Sequence, residues 1–237
     1  MNKYKVILWD IDGTLLDFSE AERAAIRTCF KKFELGTCTD EMIKSYSAIN
    51  IKYWEALERG EISKERVLVG RFEEFFASEG LDGSKATAFN EEYQLRLADT
   101  CVFRDNAFEI IEDLNNRGYR QYAVTNGTYV AQERKLKNSG LDKLLVDAFI
   151  SDYIGHEKPS MEFFDAVFEG IEGATAADMI IVGDSLTSDI IGGNNAGIDT
   201  CWYNPFKTTN SVGAKVTYEI DNIKQIYEVL NIQSCQV

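Results

Sequence analysis

Two aspartates, Asp10 and Asp12, follow a short apolar run near the start of the chain, in the segment DIDGT. Residues two apart in an extended chain point to the same side, so the two carboxylates are expected close together. Their charges repel unless a cation or a proton lies between them, and hard cations such as magnesium prefer oxygen ligands. One carboxylate can then act as a nucleophile and the other as an acid–base group. The same five residues also suit a turn or a helix N-cap, and this segment alone leaves that alternative open.

Two further groups suit the binding of an anion such as phosphate. Thr125 and Asn126 end an apolar run, and a hydroxyl with main-chain N–H groups at the start of a helix can hold a phosphate oxygen. Lys158 precedes Pro159 and can neutralise a phosphate as a point charge. Each signal is weak alone, because Asn-Gly is a common turn and a lysine is usually a solvated surface residue.

A second acidic pair follows the apolar run MIIV, in the segment GDSLTSD. Asp184 stands where a third oxygen ligand of a metal would be needed. Asp189 falls in the first turn of the next predicted helix, from which it can orient Lys158 or a metal-bound water. An acidic side chain that favours the helix dipole is the ordinary alternative for Asp189.

Short apolar runs rich in Val and Ile alternate with longer helical patterns, which is typical of a doubly wound, Rossmann-like α/β parallel sheet. The predicted strands are residues 5–9, 121–125, 148–151, 179–183 and 200–203. The predicted helices of this part are residues 106–116, 129–138, 160–168 and 187–195. Such a sheet brings all four polar groups to the carboxyl ends of its strands, the edge where ligands bind in open α/β sheets.

Residues 17–98 interrupt this alternation with four amphipathic helical patterns and no convincing strand. We therefore predict a Rossmann-like catalytic core of residues 1–16 and 99–237 and an all-helical cap domain of residues 17–98. The alternative is a helical elaboration packed permanently on the sheet, with no role in gating.

Composition and charge narrow the classes of partner. The chain has 237 residues, 45% of them hydrophobic, and a formal net charge of −14, which disfavours binding to nucleic-acid polymers. No apolar run is long enough for a membrane span or a signal peptide, and the five cysteines are scattered without a CxxC pair. We expect a cytoplasmic protein, a monomer or weak homodimer, that binds a small phosphorylated metabolite. His156 is the only histidine and receives no role.

The combination DxDGTL, TN, KP and GDSxxxD, each at a predicted strand end, resembles the four motifs of the haloacid dehalogenase superfamily. The resemblance covers residues 3–16 and 101–230, with the cap between them. It implies that Asp10 attacks the phosphoryl group and becomes a phosphoaspartate. It also implies that Asp12 protonates the leaving oxygen and then activates the hydrolytic water. Mg²⁺ is implied to bind an Asp10 oxygen, the Asp12 main-chain carbonyl and Asp184, with Asp189 behind them.

The phosphate site implied by the resemblance consists of Ile11, Asp12, Thr125, Asn126 and Lys158. Thr125 and Lys158 are implied to contact the phosphoryl oxygens, with help from the main-chain N–H groups of Ile11 and Asn126. Since dehalogenases of this superfamily lack the second aspartate, Asp12 indicates the phosphatase branch.

The substrate expectation comes from the cap. Residues 49–63 resemble the corresponding stretch of the 5′-nucleotidase-like subgroup, which implies nucleoside 5′-monophosphates, often pyrimidine ones. The cap aromatics either stack on a base or pack in the cap core; they are Phe18, Tyr46, Tyr53 and Trp54. A sugar phosphomutase similar to β-phosphoglucomutase and a phosphoglycolate phosphatase remain alternatives. The four retained motif residues disfavour a noncatalytic regulatory protein.

Overall fold

A computed structural model describes residues 3–234, which divide into two compact units. The first unit comprises Met1–Asp17 and Val102–Val237, and the second comprises Phe18–Cys101. The chain therefore enters and leaves the second unit once, as expected of an insertion. The division falls one residue after the predicted first boundary and three residues after the second.

The inserted unit is helical. Its helices are α1 (Phe18–Lys32), α2 (Asp40–Glu58), α3 (Lys64–Glu79) and α4 (Ala86–Arg96). The Thr39 and Ser63 hydroxyls accept hydrogen bonds from main-chain N–H groups of the first turns of α2 and α3 and so begin these helices. The four predicted helical patterns are all found here, because each has an apolar face that packs in one shared core rich in phenylalanine.

The other unit contains one sheet of six parallel strands in the order β3-β2-β1-β4-β5-β6. The strands are β1 (Val6–Trp9), β2 (Arg120–Thr125), β3 (Asp147–Ile150), β4 (Met179–Gly183), β5 (Asp199–Tyr203) and β6 (Tyr218–Ile220). All four residues of β1 are fully buried between β2 and β4, as the central strand of a parallel sheet requires. The doubly wound α/β class and five of these strands agree with the sequence analysis.

The sixth strand, β6, was not predicted. It has only three residues and follows a polar stretch without apolar periodicity, so the local sequence gives little signal. Its place is fixed by distant main-chain contacts, among them the bond from Asn204 N to Ile220 O at 2.7 Å.

Helices cover both faces of the sheet. They are α5 (Ala107–Asn116), α6 (Tyr129–Ser139), α7 (Ser151–Ile154), α8 (Met161–Gly170), α9 (Ile191–Ala196) and α10 (Ile226–Val229). Phe163 and Phe164 of α8 pack against β1, β2 and β4 on one face. On the other face, buried Gln121 accepts a bond from the Trp9 indole and donates to Ile111 O of α5 at 2.8 Å. The predicted helix 187–195 is a π-helical turn, Leu186–Ile190, that continues into α9.

Within residues 3–234, no helix combines the length and the apolar character that a membrane span requires. The four cysteines in this range form no disulfide with one another, and Cys235 lies outside the described residues.

Candidate active site

The predicted site residues of the sheet unit meet at the carboxyl ends of β1, β2 and β4. Asp10 directly follows β1, and its main-chain N–H donates to Val182 O of β4 at 2.9 Å. Asp184 directly follows β4. The connections turn to opposite sides of β1 at this point, which is the switch point where ligands bind in open α/β sheets.

The Asp10 carboxylate is held from both sides. The Lys158 ammonium donates to Oδ1 at 3.0 Å, and the Thr14 hydroxyl donates to Oδ2 at 3.1 Å. The same hydroxyl lies 3.4 Å from Asp184 Oδ1 and so bridges the two acidic side chains. Thr14 is fully buried, and its role was missed in the sequence, although DGT contains it.

Lys158 is 1% exposed, and its ammonium donates to three oxygens from different parts of the chain. They are Asp10 Oδ1 at 3.0 Å, Asp189 Oδ1 at 2.6 Å and Val124 O at 2.8 Å. Burial alone would lower the pKa of Lys158, but the charges of Asp10 and Asp189 raise it above its ordinary value. Lys158 is therefore a buried ammonium whose three N–H donors each have an acceptor oxygen.

The Asn126 side chain fixes the loop that carries Lys158. Its Nδ2 donates to Lys158 O at 2.9 Å, and its Oδ1 accepts from Lys158 N at 2.8 Å. The sequence analysis considered only the main-chain N–H of Asn126, so this role was missed. The neighbouring Thr125 is 2% exposed, and its hydroxyl accepts from Gly127 N at 3.3 Å.

Asp10, Asp184 and Asp189 form an acidic cluster in which one oxygen of each lies within 4.8 Å of the others. Burial and the Asp189 charge, opposed by Lys158, raise the pKa of Asp10 to about 7. Desolvation by surrounding protein and the Asp10 and Asp189 charges raise the pKa of Asp184 above its usual range, although Asp184 itself is exposed to solvent. A divalent cation that prefers oxygen ligands would reduce the repulsion between these carboxylates, so the cluster fits Mg²⁺.

Within the cluster, Asp189 is already engaged. Its Oδ1 accepts from Lys158, and its Oδ2 accepts from Ser185 N at 3.1 Å. Asp10 and Asp184 therefore suit metal ligation better, and Asp189 positions the lysine. Asp184 is itself held through its main-chain carbonyl, which accepts from the Trp202 indole of β5 at 2.9 Å.

The Asp12 carboxylate has different partners, and these lie on helix α6. Gln132 Nε2 donates to Asp12 Oδ2 at 2.6 Å, and the Lys135 ammonium donates to Oδ1. Gln132 and Lys135 were not singled out from the sequence. Their spacing of three on a predicted helix, which puts both on one face, was the available signal.

The predicted cap aromatics divide by burial. Tyr46 is fully buried and stacks on Phe72 with ring centroids 4.9 Å apart, so a base-stacking role for Tyr46 is wrong. Tyr53 is also buried, whereas Phe18 and Trp54 are half-buried. His156 is exposed in the loop between α7 and α8.

Fold and site together define a class, an α/β enzyme with clustered aspartates and a buried lysine at the switch point of a parallel sheet. Residues 7–203 match the family model described as haloacid dehalogenase-like hydrolase, and the chain belongs to this family.

Relatives match over nearly the whole chain. A protein of Bacillus subtilis (strain 168) named as an HAD-hydrolase, YfnB, is 36% identical over 234 residues, which are 99% of this chain and 98% of YfnB. The pyrimidine 5′-nucleotidase PynA of Streptococcus pneumoniae is 35% identical over 229 residues, which are 96% of this chain and 95% of PynA. A crystal structure of YfnB bound to magnesium has a TM-score of 0.91 and covers 97% of this chain and 100% of that one.

Gly13 allows Asp184 to approach the aspartate loop. At Gly13, φ is +96°, and a Cβ would lie 2.4 Å from Asp184 Oδ2. We therefore expect Gly13→Ala to weaken Mg²⁺ binding about tenfold or more, because the added Cβ must displace the Asp184 carboxylate from its place beside Asp10; about 1.4 kcal/mol of lost binding energy gives this factor. The measurement is the Mg²⁺ dependence of Tm.

Gly118→Ala is the matched control, since Gly118 has φ +86° but nothing within 4 Å of an added Cβ. It should lower Tm through backbone strain and leave the Mg²⁺ dependence unchanged. Equal Mg²⁺ responses in wild type and Gly13→Ala would contradict the proposed contact.

The raised pKa of Asp10 predicts how Mg²⁺ stabilisation depends on pH. A carboxyl whose pKa is higher in the folded state than in the unfolded state stabilises the fold at low pH. This contribution is lost as the pH rises from about 4 to about 7. A bound cation removes the penalty of the charged form, so Mg²⁺ should raise Tm more at pH 7.5 than at pH 5.5. Differential scanning fluorimetry measures Tm with Mg²⁺ and with chelator at each pH. The control is Asp184→Asn, which removes a proposed Mg²⁺ ligand. Equal Mg²⁺-induced increases in Tm at both pH values would contradict the prediction.

Proposed function

We propose that this protein is a Mg²⁺-dependent phosphomonoesterase that acts through a phosphoaspartate on Asp10, with small phosphorylated metabolites as substrates. The observation that carries the proposal is the different surroundings of two aspartates two residues apart. Asp10 lies beside Asp184 and Lys158, whereas Asp12 is held on α6. Phosphoryl transfer needs a nucleophile among fixed cationic groups and a separate acid–base group, and this arrangement offers both.

In the first step, an Asp10 carboxylate oxygen attacks phosphorus while the bond from phosphorus to the ester oxygen breaks. Asp12 gives its proton to the departing oxygen, which leaves as a neutral alcohol. The phosphoryl group keeps its own charge, and the negative charge that Asp10 loses appears on Asp12, which has given up its proton. The Lys158 ammonium, which lies 3.0 Å from Asp10 Oδ1 in the free site, can then pair with the phosphoryl oxygens.

In the second step, Asp12 takes a proton from water as the water oxygen bonds to phosphorus. The bond between phosphorus and the Asp10 oxygen breaks, which restores the Asp10 carboxylate and yields phosphate. Thr125 and the main-chain N–H groups of Ile11 and Asn126 hold the phosphoryl oxygens through both steps.

Asp10 and Asp184 would hold Mg²⁺ through carboxylate oxygens and Asp12 through its main-chain carbonyl. The cation supplies positive charge where the carboxylates and the phosphoryl group meet. The magnesium bound in the YfnB crystal structure supports Mg²⁺ as the cation, given 36% identity and a TM-score of 0.91.

We propose nucleoside 5′-monophosphates as the substrate class, with pyrimidine nucleotides as the preferred substrates. The similarity to a pyrimidine 5′-nucleotidase, PynA, across 96% of this chain supports it. The inserted helical unit is proposed as the cap that sets this preference. We further propose a cytoplasmic protein that acts as a monomer or weak homodimer.

Phosphate release across a panel of esters tests the substrate class. The panel contains uridine and adenosine 5′-monophosphates, glucose 1-phosphate, phosphoglycolate and p-nitrophenyl phosphate, each with Mg²⁺. We expect the largest kcat/KM among the natural esters for uridine 5′-monophosphate. A larger value for glucose 1-phosphate or phosphoglycolate would contradict the nucleotide proposal, and isomer formation without free phosphate would indicate a mutase.

Asp10→Asn should abolish turnover of every ester while the fold is kept, because an amide of nearly the same shape is a poor nucleophile. Far-UV circular dichroism and Tm check the fold, and phosphate release checks activity. Asp178→Asn is the matched control, since Asp178 pairs with Lys5 at the opposite edge of the sheet. Wild-type turnover in Asp10→Asn would rule out the phosphoaspartate route.

A further inference from the structure

Helix α6 presents two buried polar side chains to one carboxylate. Gln132 and Lys135 lie three residues apart and are 2% and 1% exposed. Gln132 Nε2 donates to Asp12 Oδ2 at 2.6 Å, and the Lys135 ammonium donates to Asp12 Oδ1. Each Asp12 oxygen thus has its own donor from the same rigid helix.

Stability does not account for a lysine at this position. Taking an ammonium out of water costs several kcal/mol, and replacing a buried ion pair with apolar residues of similar volume is often neutral or stabilising. Ala131, four residues before Lys135 and on the same face of α6, is buried and apolar, so an unbranched apolar side chain is compatible with this part of the helix. A lysine here is therefore better explained by what it does to Asp12.

Direct binding of substrate does not account for Lys135 either. At 1% exposure, its side chain offers almost no surface to a ligand. Asp12 has a 22% exposed side chain and can meet both the solvent and the alcohol that leaves. Lys135 can influence the reaction through Asp12.

We infer that Gln132 and Lys135 are positioning residues that fix the Asp12 carboxylate for proton transfer, an inference that rests on the proposed function. An ionised carboxylate has about four lone-pair sites. Two donors on separate oxygens fix the rotation of the carboxylate and leave sites for the proton that is exchanged with the leaving alcohol and with water. Asp10 is held by a different lysine, Lys158, in the loop between α7 and α8, so each aspartate has its own cation.

The leaving group provides a readout that a purely structural role would not move. An aliphatic alkoxide needs a proton as it leaves, whereas p-nitrophenolate leaves without one. The kcat/KM value covers events up to transfer of the phosphoryl group to Asp10, so it is sensitive to proton transfer to the leaving oxygen. Loss of positioning should lower kcat/KM for aliphatic esters and leave p-nitrophenyl phosphate nearly unaffected.

The test is Lys135→Met, assayed on p-nitrophenyl phosphate and on the aliphatic ester that wild type cleaves best, expected to be uridine 5′-monophosphate. General acid catalysis contributes about 10²–10⁴-fold, so partial loss of positioning should lower kcat/KM for the aliphatic ester about 10–100-fold. The value for p-nitrophenyl phosphate should fall less than about threefold. Gln132→Met removes the other donor without removing a buried charge. It should lower kcat/KM for the aliphatic ester by a smaller factor and again leave the value for p-nitrophenyl phosphate nearly unchanged.

Two controls locate the effect. Lys137→Met changes an exposed lysine of the same helix that pairs with Glu133, and it should leave both substrates unaffected. In the Asp12→Asn background, Lys135→Met should have little further effect, because residues that act as a unit are not additive. Tm of each variant verifies folding.

Equal losses on both substrates, no loss on either, or full additivity with Asp12→Asn would overturn the inference while leaving the phosphatase proposal intact. A folded wild type that releases phosphate from no ester in the presence of Mg²⁺ would overturn the proposed function itself, and this inference with it.

Discussion

The structure of the site depends on one buried ammonium. Lys158 donates to Asp10, to Asp189 and to the main chain of β2 at 3.0, 2.6 and 2.8 Å, and so it ties together the carboxyl ends of three neighbouring strands. A buried charge is tolerated only when its partners hold good geometry, so the surroundings of Lys158 must be rigid. Asn126 supplies this rigidity by binding the Lys158 main chain at both its N–H and its carbonyl. The ends of the strands are the one place where such convergence is available in a parallel sheet.

One ammonium does not balance the charge gathered around it. Asp10, Asp184 and Asp189 place an oxygen each within 4.8 Å of the others, and the pKa of Asp10 rises to about 7 in consequence of burial and the Asp189 charge. The net charge of −14 adds a general repulsion of anionic substrates. A divalent cation at Asp10 and Asp184 would relieve both problems, because it separates the carboxylates and attracts phosphate. The electrostatics of the site therefore favour metal binding before any substrate arrives.

The parts of the structure that sequence reasoning reached are those with a local signal. The run VILW predicts a buried strand by itself, and parallel strands necessarily place Asp10, Thr125 and Asp184 along one edge. The parts it missed depend on distant partners. Strand β6 is three residues long and is held by β5, and Gln132 meets Asp12 across 120 positions of sequence. Tyr46 could be either a ligand contact or a core residue, and only its packing on Phe72 decided between them.

The separation of Asp10 from Asp12 is the least expected feature of the site. Two aspartates two residues apart in an extended chain share a side, and a shared side would place both in one cation cluster. Here the strand ends at Trp9, and a turn closed by the bond from Leu15 N to Ile11 O at 3.1 Å follows almost at once. The Asp12 carboxylate is held by side chains of α6, while Asp10 remains among Lys158, Thr14 and Asp184. A nucleophile benefits from fixed cations, whereas an acid–base group must exchange its proton with a departing alcohol and with water. The two sets of partners therefore give identical side chains the different surroundings that the two proposed roles require.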